Sequence, residues 1–258
     1  MSAGSQAIGV FDSGVGGLSV LGALRAELPA EDFIYLADAG FAPYGERGDS
    51  YVIERTRTMV RRLVDEHRVK ALVIACNTAT AAAIHLVRAE YPQLPLVGVE
   101  PALKPAVALS KTRRVGVIGT RGTLASAKVR TLHDSLKDQA EFVFQPCDGL
   151  ADAIQNDDMA QIATLCARYM EALGPFGTQS GQIDTLVLGC THYPFAQRVL
   201  QALAGETVQL IETGEPVARQ TRRLLEAGML LKNEGMGSVT LLTTGEPGQL
   251  KSAAARWL

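Results

Sequence analysis

The chain has 258 residues, 47% hydrophobic and 20% charged, with a formal net charge of −2. That length and balance fit one large or two small packed domains. They exclude a nucleic-acid surface, which needs a clustered positive face, and no apolar run approaches the ~20 residues of a membrane span. Residues 1–6 carry no basic flank and do not read as a signal peptide, so a cytoplasmic protein is expected.

In chain order, apolar runs bounded by Gly, Asp, Asn and Pro predict eight strands. They cover 7–11, 33–37, 71–75, 96–99, 114–118, 141–145, 185–188 and 208–211. A helix is predicted over 51–67, with Val52, Thr56, Met59, Val60, Leu63 and Val64 on one stripe and Asp49 or Ser50 as its cap. Helices over 124–137 and 217–227 follow the same logic, the latter stopped by Gly228. Alternating strand and helix predicts an α/β fold with mainly parallel sheets buried on both faces.

The chain also resembles itself. Leu72-Val-Ile-Ala-Cys76-Asn77-Thr78 parallels Leu186-Val-Leu-Gly-Cys190-Thr191-His192, 114 residues on. Ile8-Gly-Val-Phe11 before Asp12-Ser13-Gly14 parallels Val115-Gly-Val-Ile118 before Gly119-Thr120, 107 residues on. Two pseudo-symmetric α/β halves facing across a cleft are the simplest account. Ligand sites in such sheets lie at the carboxyl ends of strands. Asp12, Ser13, Asp38, Cys76, Thr120 and Cys190 all fall there.

The four cysteines are Cys76, Cys147, Cys166 and Cys190, with no C-x-x-C pair, so a disulfide framework or zinc ribbon is not expected. A lone cysteine at a strand end is usually a small core residue. Cys76 and Cys190 differ because each is followed at once by polar groups, at matching places in the repeat. Cys166 lies in a helical apolar stripe and reads as core; Cys147, after Pro146, reads as core or as support for the site. His192, two residues from Cys190, can tune that thiol or relay a proton.

Asp12-Ser13-Gly14-Val15-Gly16-Gly17 invites a nucleotide reading, but Ser19 stands where the third glycine of G-x-G-x-x-G belongs, and Asp12 would repel phosphate. The glycines are instead expected to let backbone amides approach a small carboxylate. Two opposed thiols suit inversion at carbon: a thiolate removes a proton from one face and a thiol returns one to the other. Modest tuning near neutral pH would let thiolate and thiol coexist. Ser13, Asn77, Thr78 and Thr191 are placed to stabilise the resulting carbanion through its carboxylate. Neither a phosphate loop nor a rim lysine for a Schiff base is seen, so no cofactor and no metal are expected.

Four motifs in order and spacing carry a family resemblance: Phe11-Asp12-Ser13-Gly14-Val15-Gly16-Gly17, Pro43-Tyr44-Gly45, Ala75-Cys76-Asn77-Thr78-Ala79 and Leu188-Gly189-Cys190-Thr191-His192-Tyr193-Pro194. Over about residues 7–223 the chain resembles the glutamate racemase family. The resemblance implies cofactor-free interconversion of L- and D-glutamate, supplying D-glutamate for bacterial peptidoglycan. It implies Cys76 as the base toward D-glutamate, Cys190 as the base toward L-glutamate, and Asp12 and His192 as their helpers. Substrate contacts map onto Asp12, Ser13, Tyr44, Gly45, Asn77, Thr78, Thr191 and His192, with Thr120 added. It further implies two α/β domains with the active site in the cleft between them, residues 1–99 with 212–258 forming one and 100–211 the other. Homodimers are common in the family.

One departure stands out. Many members carry a glutamate in the loop matching residues 146–155; here Gln155 occupies the place, with Asp152 nearby, and that glutamate's role is not carried over. Other readings are an aspartate or hydantoin-type racemase with the same two-thiol logic, an inactive dicarboxylate-binding protein, and a redox or zinc role for the cysteines.

Overall fold

The computed structural model describes residues 6–258; residues 1–5, most of the stretch read above for a signal peptide, lie outside the described residues. The first half runs β1 (Ile8–Asp12), α1 (Leu18–Glu27), β2 (Phe33–Ala37), α2 (Asp49–Arg61), β3 (Ala71–Ile74), α3 (Asn77–Glu90) and β4 (Leu96–Gly98), then α4 (Leu103–Leu109). The second runs β5 (Arg114–Gly119), α5 (Arg121–Leu124), α6 (Ala127–Asp134), β6 (Glu141–Pro146), α7 (Leu150–Gln155), α8 (Met159–Leu173), β7 (Thr185–Gly189), α9 (Gln197–Ala204) and β8 (Gln209–Ile211). The chain closes with α10 (Gly214–Ala227), β9 (Val239–Thr243) and α11 (Pro247–Trp257).

The strands form two sheets, ordered β4-β3-β1-β2-β9 and β6-β5-β7-β8, and every pairing is parallel. Read from the other edge, the second sheet is β8-β7-β5-β6. That is the order of β4-β3-β1-β2, so the weak sequence repeat is a true repeat of topology. All eight predicted strands are present within a residue or so of their expected bounds.

Each sheet is covered on both faces, which is why its strands read as unbroken apolar runs rather than alternating ones. In β3, Leu72 and Ile74 pack in one core with Val60 and Leu63 beside α2 and α3. Ala71 and Val73 face the other way, into a core with Leu18, Leu21 and Leu225 of α1 and α10. The second sheet repeats the plan: Leu186 and Leu188 pack with Cys166 of α8, and Val187 with Leu103 of α4.

Three expectations are corrected. The helix predicted at 51–67 starts at Asp49 and continues through a π-helical turn, Arg62–Glu66. Gly48 flanks it and no side chain caps it; Asp49 instead lies in the first turn, where its charge suits the helix dipole. The helix predicted at 124–137 is shorter, running Ala127–Asp134 as α6, with Leu124 ending a separate short helix, α5. Thr120 accepts from the Thr123 N–H to cap α5, and Ser126 accepts from the Val129 N–H to cap α6. Strand β9 was not expected at all. It extends the first sheet beside β2, with Phe33 paired to Val239.

The approach to β9 is fastened by a buried ion pair. Lys70 Nζ lies 2.6 Å from Glu31 Oε2, both buried side chains, and donates to the Leu230 carbonyl at 2.8 Å. Glu31 Oε1 accepts from the Lys232 N–H at 2.8 Å. Asp32 accepts from Lys232 Nζ and from Ser238, which hold its pKa down to about 2. Replacing one partner of such a pair leaves an uncompensated buried charge, at a cost of ~3–5 kcal/mol. Lys70→Met should therefore lower stability by about that much in urea unfolding, and Lys70→Met/Glu31→Leu should recover most of it. A single variant as stable as wild type would remove the ion pair from the account of how the C-terminal segment is held.

Candidate active site

Both sheets change direction at an inner strand: β2 and β3 lie on opposite sides of β1, and β6 and β7 on opposite sides of β5. The crevice beyond the carboxyl ends at such a point is where an open α/β sheet binds ligands. Asp12 ends β1, and Cys76 lies two residues beyond β3, as N-cap of α3. Thr120 follows β5 and Cys190 follows β7. Each cysteine continues its strand's alternation, on the face of Leu72 and Ile74 or of Leu186 and Leu188. The thiols therefore stand at equivalent points of the two sheets.

On the first wall, Cys76 Sγ lies 3.5 Å from Ser13 Oγ, which donates to Asp12 Oδ1 at 3.3 Å. The Ala79 N–H points at the same thiol at 3.5 Å. Asp12 is fully buried and also accepts from the Gly14 N–H at 2.7 Å. Asn77, in the first turn of α3, is buried, and both its side-chain polar atoms lack partners among the described residues. A buried amide in that condition costs ~1–3 kcal/mol per unmatched group and calls for an explanation.

On the second wall, Cys190 Sγ lies 3.8 Å from His192 Nδ1. His192 Nε2 lies 3.1 Å from Gln155 Oε1, at the end of α7. The walls are joined. Thr191 Oγ1 donates to Asp12 Oδ2 at 2.9 Å, the Val15 N–H to Gln155 Oε1 at 2.8 Å, and Ser19 Oγ to the Thr191 carbonyl at 2.9 Å. At the far rim Thr78 and Thr120 hydroxyls meet at 3.0 Å, and Glu46 accepts from the Gly149 N–H at 3.1 Å. Cys76, Cys190, Asp12 and His192 are all buried beneath these bonds, so a ligand reaches the thiols only if the bonds part.

In the closed cleft the glycine turn packs against the opposite wall. A Cβ on Gly14 would lie 2.2 Å from Gln155 Oε1, and one on Gly16 would lie 2.3 Å from His192 Nδ1. The space the glycines leave is filled by side chains of the opposite wall. The Gly14 and Val15 amides are likewise bonded to Asp12 and Gln155, not left open for a carboxylate.

Comparison with known proteins bears on this arrangement. Residues 8–221 match the family model for Asp/Glu/hydantoin racemases. The chain is 46% identical to glutamate racemase of Methylococcus capsulatus, covering 100% of this chain and 94% of that protein. The structure superposes on glutamate racemase isoform RacE1 of Bacillus anthracis with a TM-score of 0.85 at 31% identity, over 98% of this chain and 93% of that one. It superposes on the Escherichia coli glutamate racemase complex with L-glutamate and the activator UDP-MurNAc-ala with a TM-score of 0.82 at 29% identity, over 98% and 95%. The chain belongs to the Asp/Glu/hydantoin racemase family.

The electrostatics of this racemase-family cleft are dominated by burial. Burial pushes Asp12 up to about 7, against hydrogen bonds from Gly14, Thr191 and Ser13 that favour the carboxylate. Burial, then the Asp12 charge, pushes Cys76 up to about 12, despite the Ala79 N–H. Burial raises Cys190 as well, opposed by the His192 backbone N–H. His192 itself is pushed down to about 4 by burial. Modest tuning alone therefore does not describe this cleft: with the walls closed, burial favours the thiol form of both cysteines. The polar side chains nearest Cys76 are Ser13 and, through it, Asp12; nearest Cys190 is the His192 imidazole.

The structure thus brings Asp12, Ser13, Cys76, Cys190, Thr191 and His192 together, with Asn77, Thr78 and Thr120 on the same rim. Tyr44 and Gly45 lie on the first wall, at the edge of this group. The Tyr44 hydroxyl donates to Asp38 Oδ2 at 2.6 Å and its ring packs in the same core as Cys76, while Gly45 packs its backbone against Thr120. Asp38, noted only as a rim residue, is a hub: Arg55 holds it through Nε and Nη2, both at 2.9 Å, and Thr244 donates to it at 2.8 Å. Cys147 and Cys166 are buried in the second half's core. The bonds of Ser19, Glu46 and Gln155 had no sequence signal, because each reaches across the cleft to the opposite wall.

Asp12 yields a stability prediction. Its folded pKa is raised, so its contribution is fully present below about pH 4 and is lost as pH rises through about 7. Asp12→Asn keeps the hydrogen-bonding shape and removes the charge. It should match wild type near pH 4 and exceed it by a few kcal/mol near pH 8, at ~1.4 kcal/mol per unit of pKa shift. Urea melts at the two pH values would check this; an Asp12→Asn variant no more stable near pH 8 would contradict a burial-strained carboxylate.

Proposed function

We propose that this protein is a cofactor-independent glutamate racemase working with two thiols. The observation that carries the reading is the placement of Cys76 and Cys190 at equivalent points of facing sheets, each beside its own proton acceptor. Glutamate, rather than aspartate or a hydantoin, is supported by curated relatives such as the M. capsulatus enzyme and by the L-glutamate complex of the E. coli enzyme.

For L-glutamate, Cys190 transfers its proton to His192 Nδ1 and the thiolate takes the α-proton. Cys76 then delivers its own proton to the opposite face, leaving D-glutamate and a Cys76 thiolate. From D-glutamate the roles exchange, with Cys76 losing its proton through Ser13 to Asp12. The substrate ammonium group, held near Asp12, favours thiolate formation by opposite charge. The carbanion-like state places negative charge on the α-carboxylate, where Asn77, Ser13, Thr78 and Thr191 are the donors. The unmatched Asn77 amide has the right chemistry to meet both ends of an amino acid. Tyr44 and Gly45 act through their backbone, and Thr120 through its contact with Thr78. Substrate entry separates the two domains read from the sequence. A cytoplasmic homodimer supplying D-glutamate for peptidoglycan belongs to the same reading, and rests on the family resemblance.

The first test is incubation with L-glutamate in deuterated buffer without added cofactor, following the Cα proton by NMR and the D-isomer by a chiral assay. Loss of the proton together with D-glutamate is expected. Aspartate run in parallel decides between the two substrates. Cys76→Ser and Cys190→Ser should each lower turnover by about 10²–10⁴-fold while the fold is kept. Wild-type turnover in either variant would end the two-base mechanism.

A further inference from the structure

We propose that Gln155 is a positioning residue which, tied to Val15 of the opposite wall, holds His192 as the neutral Nε2–H tautomer. The inference rests on the racemase reading above for its catalytic consequence, but not for its geometry.

The geometry begins with Val15. Its backbone N–H can only donate, and it lies 2.8 Å from the Gln155 amide, so the atom facing it is the oxygen. The same oxygen lies 3.1 Å from His192 Nε2. An oxygen can only accept, so Nε2 carries the proton. In a neutral imidazole the other nitrogen is then unprotonated. That nitrogen, Nδ1, is the one 3.8 Å from Cys190 Sγ. His192 therefore faces the thiol as a proton acceptor.

The tie to Val15 matters because the side chain is an amide. Val15 belongs to the turn between β1 and α1, whereas Gln155 and His192 belong to the second half. Without the Val15 N–H, a carboxamide can turn over and offer its NH2 group to Nε2, which places the proton on Nδ1, against the thiol. A carboxylate at this position would accept from Nε2 in either orientation and would also add a charge favouring imidazolium. A neutral, two-faced side chain makes the tautomer answer to the opposite wall. Gly14 is part of the same device, since a Cβ there would lie 2.2 Å from Gln155 Oε1.

The test uses full-length protein labelled with ¹⁵N-histidine, the His192 signals being assigned by their loss in His192→Gln. Wild type should show the Nε2–H pattern. In Gln155→Leu, which removes the acceptor, the signals should move to a mixture of tautomers. Enantiomers are equal in energy, so kcat/KM must fall by the same factor in both directions, here about tenfold. The two directions separate in the primary isotope effect. It should rise for 2-deuterated L-glutamate, whose proton Cys190 removes, and fall for the D-isomer. Gln155→Glu, close in size and still an acceptor, should keep Nε2 protonated and serves if Gln155→Leu does not fold. An Nδ1–H tautomer in wild type, unchanged signals in Gln155→Leu, or a deprotonated Nε2 in Gln155→Glu would each overturn the proposal. Wild type that shows the Nε2–H lock but racemises no glutamate would instead overturn the functional reading and leave the lock standing.

Discussion

A carboxylate buried between two walls has to be met by donors from both, and much of the cleft can be understood from what Asp12 requires. Its own turn supplies the Gly14 amide and Ser13 hydroxyl, and the opposite wall supplies Thr191. That last bond draws the Cys190 loop against the glycine turn, and only glycine leaves space for His192 and Gln155 to follow. Tyr35 braces the turn from beneath, donating to the Gly14 carbonyl at 2.6 Å. Hydrogen bonds lower the cost of the charge without cancelling it, since Asp12 remains well above the ordinary carboxylate range. The closed cleft thus supplies Asp12 with donors from both walls and still leaves its carboxylate strained by burial, which makes it more basic than an exposed one.

The repeated topology gives two thiols the same backbone setting, yet their surroundings are unlike. Cys76 caps a helix and faces a hydroxyl and an acid. Cys190 faces an imidazole held by an amide. The difference is chemically apt, because two mirror-image substrates are presented to a protein with no mirror. What has to match between the walls is the ease of moving a proton, and that can be reached with different groups.

The fold was legible to the extent that burial writes itself into local composition. Six of the eight strands appear because both their faces are covered, which enforces runs of Val, Ile and Leu between Gly and Asp breaks, whereas β6 and β8 are only partly covered and are read from shorter apolar runs. Val239–Thr243 escaped because it is an edge strand with only half-buried side chains, so threonine interrupts its pattern. The break at Ser126 is a capping event that a periodic stripe does not register. The thiols were legible from the polar residues that follow them at matching repeat positions. Their protonation was not, because it depends on how much of the opposite wall covers them. Gln155 was visible as a departure from the family pattern; its bond to Val15 spans 140 residues and reaches the opposite wall, which no local pattern registers.

Strand β9 has one more consequence, for the order in which the molecule is built. Its partner β2 lies 206 residues earlier in register, whereas the second sheet is drawn from one uninterrupted stretch between Arg114 and Ile211. Contacts so distant along the chain close late, because loop entropy must be met before they form. On a ribosome, the stretch made second has all its strands before the stretch made first can recruit its fifth. Until then β2 is an unpaired edge, and the buried Glu31 beside it waits for the segment that carries Lys232. The first-made sheet is the last to be finished.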